Sequence, residues 1–262
     1  MIGVNLLGEV GLKGQNEKDH NMRVFAALTT ALCFALVDMV SAQPLAGTVR
    51  EPVVVELFTS QGCSSCPPAD ALLQQLAKRR DVLALALHVD YWDYIGWTDT
   101  FASPAFSLRQ KGYAHRAGRK MIYTPQMIVM GGTDVSGADA MGVSDAIQAH
   151  MAAPRPVGLD IQRNGRRLTL SLVPRIALQD GPISIQIARY SPLKTVDIAR
   201  GELAGHRIAY ANIVEDLRQV EVWDGQQAIT VTVDFDGAKP GVVLVQQGPF
   251  GPVLAAARID PD

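Results

Sequence analysis

Cys63 and Cys66, separated by two residues, are the side chains of this sequence best suited to chemistry. A pair at that spacing closes a small disulfide loop, and placement at the start of a helix lets backbone N–H groups stabilise a thiolate on the first sulfur. By order in the chain, Cys63 is expected to be the exposed nucleophile and Cys66 the resolving thiol. Two other readings stay open. A purely structural disulfide is one, although so short a loop restrains the unfolded chain little. A copper or zinc site is the other, and it needs ligands beyond the pair; His88, His115 and His206 could converge on it only through tertiary folding.

A second concentration of functional groups is Asp90-Tyr-Trp-Asp-Tyr-Ile-Gly-Trp97. It follows an apolar run, so it belongs at the carboxyl end of a strand, where ligand crevices form in parallel sheets. Asp90, Tyr91, Trp92, Asp93 and Trp97 are therefore candidates to wall a cleft beside Cys63 and to bind a peptide or small organic ligand. The alternative is that their rings simply cover the end of the core. Ser60, Ser64 and Ser65 have no histidine nearby in sequence, and the chain carries neither a nucleotide-binding glycine fingerprint nor an HExxH motif. No cofactor and no metal ligand set is assigned.

The elements that must position these residues follow from periodicity. Val53–Thr59 is apolar except for Glu56, which suits a strand covered on both faces. Residues 67–76 place Leu72, Leu73 and Leu76 on one helical face, and residues 82–89 form a second buried strand, giving a right-handed parallel unit. Ser103-Pro104 is a cap and first turn for a helix continuing through 106–117. A short strand at 127–130, a hairpin at Gly131-Gly132, a further strand around Val135 and a helix over 138–151 complete this part. Prolines 67 and 68 directly after Cys66 lack N–H groups, so the helix is expected to open with a distorted turn or to become regular at Pro68, with fewer donors aimed at Cys63.

Beyond Pro154 and Pro156 the period shortens. Strand-like runs at 157–163, 166–173, 183–189, 220–222, 229–235, 242–246 and 252–259 are separated by Asn-Gly and Asp-Gly turns. They predict a mainly antiparallel β domain, sandwich-like in architecture, over 156–262. Arg163, Arg166 and Arg167 flank the Asn164-Gly165 turn and are expected to be a solvated hairpin tip.

The 262 residues carry 24 Lys and Arg against 26 Asp and Glu, without a massed basic surface, so nucleic-acid binding is not expected. Residues 1–42 have the features of an export signal with a leader extension. Met22-Arg23 gives a basic start, Val24–Val37 is mostly apolar, and Val40-Ser-Ala42 supplies small residues for cleavage. Met22 is an alternative start, and a buried core helix over 24–37 is the competing reading. The apolar stretch is shorter than a membrane span requires. Cleavage would remove Cys33 and leave Cys63 and Cys66 as the mature chain's cysteine pair, in a periplasmic or extracellular compartment that permits disulfides.

The run Val55-Glu-Leu-Phe-Thr-Ser-Gln-Gly-Cys-Ser-Ser-Cys-Pro-Pro-Ala-Asp70 resembles the secreted bacterial family called domain of unknown function 1223. So do Asp90–Trp97, Ser103-Pro-Ala-Phe106 and Tyr123-Thr-Pro-Gln-Met127, and the likeness extends over nearly all of the mature chain. The resemblance implies an α/β thioredoxin-like domain at 50–152, followed by the mainly β region. It also implies that Pro125 is cis and faces the cysteine pair, with the backbone at Thr124 available to an extended substrate; an ordinary trans turn proline is the alternative. Glu56 could relay protons to the resolving thiol, as a buried acid does in thioredoxins. It stands seven residues before Cys63, however, one more than the usual spacing, and in a strand that shift reverses the face unless a bulge restores it. Gly62, Ser64 and Ser65 also depart from the residues ordinary thioredoxins carry there.

The combined expectation is an exported thiol–disulfide exchange protein acting on a protein disulfide or small thiol substrate together with an unidentified redox partner. Its rivals are a non-catalytic peptide- or ligand-binding module with a structural disulfide, and a copper or zinc carrier.

Overall fold

A computed structural model describes residues 51–261. The expected signal segment, its alternative start and Cys33 lie outside the described residues. No described helix is long and apolar enough to cross a membrane.

The chain from 51 onward first mixes helices and strands and then becomes β-rich. Strand β1 (Val53–Thr59) leads into helix α1 (Pro67–Leu76) and strand β2 (Val82–His88). A short 3₁₀ turn at Asp93–Ile95 precedes helix α2 (Pro104–Arg116), whose Ser103 cap accepts a hydrogen bond from the Ala105 N–H. The hairpin β3 (Gln126–Val129) and β4 (Thr133–Ser136) and helix α3 (Ala140–Ala152) follow. The β-rich part comprises β5 (Val157–Asn164), β6 (Arg167–Pro174), β7 (Ile183–Asp197), β8 (Arg207–Trp223), β9 (Ile229–Asp234), β10 (Gly241–Gln247) and β11 (Val253–Ile259).

β1 and β2 run parallel in unbroken register from Val53 opposite Val82 to Thr59 opposite His88, while β3 pairs antiparallel with the other side of β1. Every residue of β1 and β2 is buried, which accounts for their near-continuous apolar composition.

Between the end of α3 at Ala152 and the start of β5 at Val157 the chain passes from the mixed to the β-rich part, and one sheet runs across that point. Its eight strands lie in the order β11-β10-β7-β8-β2-β1-β3-β4, and β5, β6 and β9 form a separate three-stranded sheet. The join is at β2 and β8, where Ala86 stands opposite Ile213 and the Asn212 side-chain amide donates to the Ala84 carbonyl at 2.8 Å. The core follows the sheet. One apolar cluster contains Val55, Leu57, Leu85 and Met127 together with Tyr190, Val214, Val242 and Leu244. A second cluster draws on both sheets, with Leu168, Leu170 and Leu172 of β6 together with Ile185, Ile187, Val243 and Val245 of β7 and β10.

The short strands expected at 183–189 and 220–222 are the ends of two long ones, β7 and β8, which pair from Ile183 opposite Trp223 to Asp197 opposite Arg207. Residues 192–197 of β7 and 215–222 of β8 are largely exposed, so these stretches lack the apolar alternation that marks a half-buried strand. Pro192 also interrupts the β signal, and the ladder carries register shifts at Ile185/Gln186 and Arg189/Tyr190.

Candidate functional site

The two cysteines are joined as a disulfide at the carboxyl end of β1, in the connection to α1. Cys63 occupies a tight turn, its N–H bonded to the Ser60 carbonyl and its carbonyl to the Cys66 N–H, both at 3.1 Å. Cys66, not Cys63, is the N-cap of α1, and Pro67 and Pro68 fill the first two helical positions. The regular helix therefore begins at Pro67. The first N–H groups of the helix interior, those of Ala69 and Asp70, are already bonded to the Cys66 carbonyl at 2.9 and 3.1 Å, so few donors are aimed at the Cys63 sulfur.

The expectation of an exposed Cys63 is corrected. Both cysteines have 0% relative exposure. Their cover is one side chain deep: the Thr124 hydroxyl donates to Cys63 Sγ at 3.3 Å, and Ser65 Oγ lies 3.4 Å from the same sulfur. The Trp92 indole N–H donates to Thr124 Oγ1 at 2.8 Å and holds that cover in place. Ser65 is exposed and Thr124 and Trp92 are half-buried, so the disulfide lies just under the surface. Gly62 makes the close approach possible, because a Cβ there would stand 3.1 Å from Ile95 Cδ1 and 3.2 Å from Trp92 Cβ. The Thr124–Pro125 peptide bond is cis.

The aromatic loop divides into two groups. Trp92 and Trp97 hold the cysteine turn; the Trp97 indole N–H donates to Gln61 Oε1 at 2.8 Å, and the Gln61 N–H donates to Asp99 Oδ2 at 2.7 Å. Asp90 and Tyr91 turn instead toward α2. Asp90 accepts from the Ser107 hydroxyl at 2.5 Å, and the Tyr91 hydroxyl donates to Gln110 at 3.0 Å. Burial pushes the Tyr91 phenol up to about 12, with Gln110 and Thr124 opposing. Asp93 accepts from the Asp99 N–H at 3.1 Å, and partial burial raises its carboxyl above the ordinary range. Tyr94, between these groups, is 82% exposed.

Glu56 does not face the sulfurs. The register of β1 has no bulge, so Glu56 and Phe58 point to the α2 side, and Thr59 to the α1 side. The odd separation between Glu56 and Thr59 carries the acid away from the thiols. Its carboxylate is held by the Arg109 guanidinium at 2.6 and 3.2 Å and by the Tyr113 hydroxyl at 2.5 Å. Arg109 also donates to Gln186 and Gln246, so residues of β1, α2, β7 and β10 form one buried and fully bonded network. Burial opposes the charge on Arg109, but Glu56 outweighs it and holds the guanidinium's proton affinity above normal. Burial raises the Tyr113 phenol well above its ordinary value.

On the α1 side lies a set of groups that the motif search passed over. Asp70 sits one helical turn after Cys66, on the buried face it shares with Ala69 and Leu73. His88 is fully buried opposite Thr59; its Nδ1 is 2.7 Å from Asp99 Oδ2, and its ring meets Tyr210 edge-on at 4.9 Å. Asp99 Oδ2 also accepts from the Gln61 N–H and Oδ1 from the Phe101 N–H, so Asp99 holds His88 and the cysteine turn together. Both Asp70 carboxyl oxygens, His88 Nε2, Thr59 Oγ1 and the Tyr210 hydroxyl are buried without a hydrogen-bond partner among the described residues. Burial pushes the Asp70 carboxyl up to about 7; His88 and the nearby Thr59 hydroxyl pull it down, and Asp99 pushes it up. The available sequence signal was a lone acid at i+4 from Cys66 on an apolar helix face.

His88, His115 and His206 are not brought together: His88 pairs with Asp99, while His206 Nδ1 lies 3.0 Å from the Leu203 carbonyl and His115 is exposed on α2. Among the described residues, no group of three or more His, Cys, Asp or Glu is placed to hold a metal ion.

A crystal structure of an Agrobacterium tumefaciens protein is similar to this chain, with 32% identity over 80% of this chain and 94% of its own, and a TM-score of 0.68. HBP35 of Porphyromonas gingivalis shares the fold at 14% identity, over 82% of this chain and 77% of its own, with a TM-score of 0.57. No curated protein matches. The family model described as "Protein of unknown function (DUF1223)" matches residues 54–246, and the chain belongs to that family.

Proposed function

We propose that this is an exported thioredoxin-like protein that exchanges its Cys63–Cys66 disulfide with a protein disulfide or small thiol substrate. The observation that carries the reading is the disulfide beside Thr124, whose hydroxyl bonds the Cys63 sulfur at the surface end of β1. The order β-α-β-α-β-β-α over 53–152, with β1 between a parallel β2 and an antiparallel β3, supports the thioredoxin-like assignment. The apolar cluster shared by the two sheets supports a sandwich-like arrangement for the β region.

In this reading Cys63 is the sulfur attacked, Cys66 is the resolving thiol, and Thr124 and Pro125 position the partner's backbone. Because the sulfurs are covered, exchange requires the Trp92–Thr124 hydrogen bond to open and Thr124 to leave Cys63 Sγ. A substrate chain that takes over those bonds would open the site as it docks. Trp97 and Asp93 then act by holding the turn and the loop, and Asp90 and Tyr91 by anchoring that loop to α2. In the forward direction a Cys63 thiolate attacks a substrate disulfide and expels one thiolate. Cys66, on losing its proton, attacks Cys63 and expels the second, so two electrons pass to the substrate.

The complete burial of both sulfurs favours one rival, a binding module whose disulfide only braces the loop. The experiment that separates them follows reduction of the native disulfide by dithiothreitol or glutathione, alongside partner trapping by Cys66→Ser with Cys63→Ser/Cys66→Ser as control. Exchange predicts reduction much faster than global unfolding and mixed disulfides trapped only with Cys63 present. Reduction no faster than unfolding, with no trapped species, would establish the braced module instead.

A further inference from the structure

We infer that Asp70, set among Thr59, His88, Asp99 and Tyr210 beneath the disulfide, is the proton donor and acceptor for Cys66 during exchange. The inference rests on the exchange reading above and assigns the proton that reading leaves unplaced.

Buried polar atoms ordinarily find partners, and a cluster of them without any marks a place where something other than stability is served. Here five such atoms come from four separate elements: the Asp70 carboxyl oxygens from α1, Thr59 Oγ1 from β1, His88 Nε2 from β2 and the Tyr210 hydroxyl from β8. Their position relative to the chemistry is fixed by the helix. Cys66 caps α1, its carbonyl accepts from the Asp70 N–H, and residues four apart stand on one helical face, so Asp70 stands one turn along α1 from the resolving cysteine, on the same side.

The charges around it are arranged for proton storage. Asp99 already accepts two backbone N–H bonds and holds His88 through Nδ1, leaving Nε2 directed away from that bond. No cation is bonded to Asp70 to fix its carboxyl as a carboxylate, and burial favours the neutral acid, so the oxidised protein holds a proton there near neutral pH.

A substrate thiolate attacks Cys63 Sγ, forming a mixed disulfide and breaking the Cys63–Cys66 bond. The electron pair of that bond goes to Cys66 Sγ, and the Asp70 proton follows it, leaving a Cys66 thiol and an Asp70 carboxylate. A second substrate thiolate then attacks the substrate sulfur of the mixed disulfide, releasing the oxidised substrate and a Cys63 thiolate. In the opposite direction Asp70 takes the proton from Cys66 as it resolves. His88 and Asp99 are positioning residues: they set the field in which Asp70 gains and loses its proton.

The test is the pH profile for reduction of the full-length native disulfide by dithiothreitol, corrected for the reductant's ionised fraction. For the wild type the corrected rate constant is expected to fall as pH rises through the titration of Asp70. Asp70→Asn, which keeps the volume but carries no transferable proton, is expected to be about tenfold slower at pH 6 and flat with pH. Infrared difference spectra of the same samples should contain a protonated-carboxyl band in the oxidised wild type that changes on reduction and is missing in Asp70→Asn. His88→Gln supplies a second reading if Asp70→Asn does not fold, because loss of the imidazole should move the profile to higher pH. A folded Asp70→Asn with the wild-type rate and profile, or a His88→Gln profile that does not move, overturns the relay while leaving exchange intact. A native wild-type disulfide that dithiothreitol cannot reduce overturns exchange and the relay together.

Discussion

The two faces of strand β1 bury acids in opposite ways. On the α2 face Glu56 is matched atom for atom by Arg109 and Tyr113, with Gln186 and Gln246 completing the guanidinium's bonds. On the α1 face no Lys or Arg is bonded to Asp70, only the Thr59 hydroxyl and His88 favour its charge, and its neighbours His88 and Tyr210 carry unpaired atoms. The first arrangement ties the β region to the α/β region and has no spare capacity to move a proton. The second adds nothing to stability when ionised, yet it lies one helical turn from the disulfide. Burial alone therefore does not set what an acid can do; its partners decide it.

The largest effect should come from breaking the matched face. Glu56→Gln leaves the Arg109 charge buried without its counterion and is expected to cost about 3–5 kcal/mol, read as a lower urea midpoint. The reduction rate of the disulfide in the remaining folded protein should stay within about twofold; a large change there would erase the contrast between the faces.

The next effect belongs to the unmatched face. Asp70 has its proton affinity raised on folding, from an ordinary 3.8 to about 7, so the folded state binds the proton more tightly. Its stabilising contribution is complete below about pH 4 and is lost as pH rises toward 7, a decline of up to about 4 kcal/mol. Asp70→Asn should flatten that part of the stability curve and be more stable than the wild type at pH 8. Denaturant melts from pH 4 to 8 would reveal it, and a wild-type curve that rises over this range would contradict it.

Smaller effects concern the cover above the disulfide. Trp92→Phe removes the N–H that holds Thr124 and should speed reduction by glutathione about two- to tenfold, in line with one hydrogen bond. Ser65→Ala, losing the 3.4 Å contact to Cys63 from an exposed side chain, should change the same rate by less than about twofold. If Ser65 matters more than Trp92, the cover is set by the cysteine turn and not by the aromatic loop.

Much of the frame was legible because its signals are local. The continuous apolar runs of β1 and β2, the Ser103-Pro104 helix start and the Asn-Gly and Asp-Gly turns each depend on a few neighbouring residues. Residues 192–197 of β7 and 215–219 of β8 were not legible, since both stretches are largely exposed and each pairs with a less exposed stretch of the other strand. Of the residues named from the sequence, Cys63 and Cys66 are joined, Thr124 bonds the Cys63 sulfur and Trp92 bonds Thr124, and the Thr124–Pro125 peptide bond is cis. Asp70 was passed over because nothing in the amino-acid order says which acid is left without a partner, and Asp99 because its partners His88 and Gln61 are brought to it only by folding.

By itself, the sequence determined the chemistry available: two thiols at disulfide spacing, a helix opening blocked by two prolines, and an acid four residues beyond the second cysteine. Only the tertiary structure decided access and protonation. Both depend on groups far apart in the chain, Trp92 and Thr124 closing over one sulfur and Thr59, His88 and Tyr210 surrounding the acid below the other. Solvation and Coulomb energies are set by distance in space, and in a folded chain that distance is fixed by packing rather than by position in the sequence.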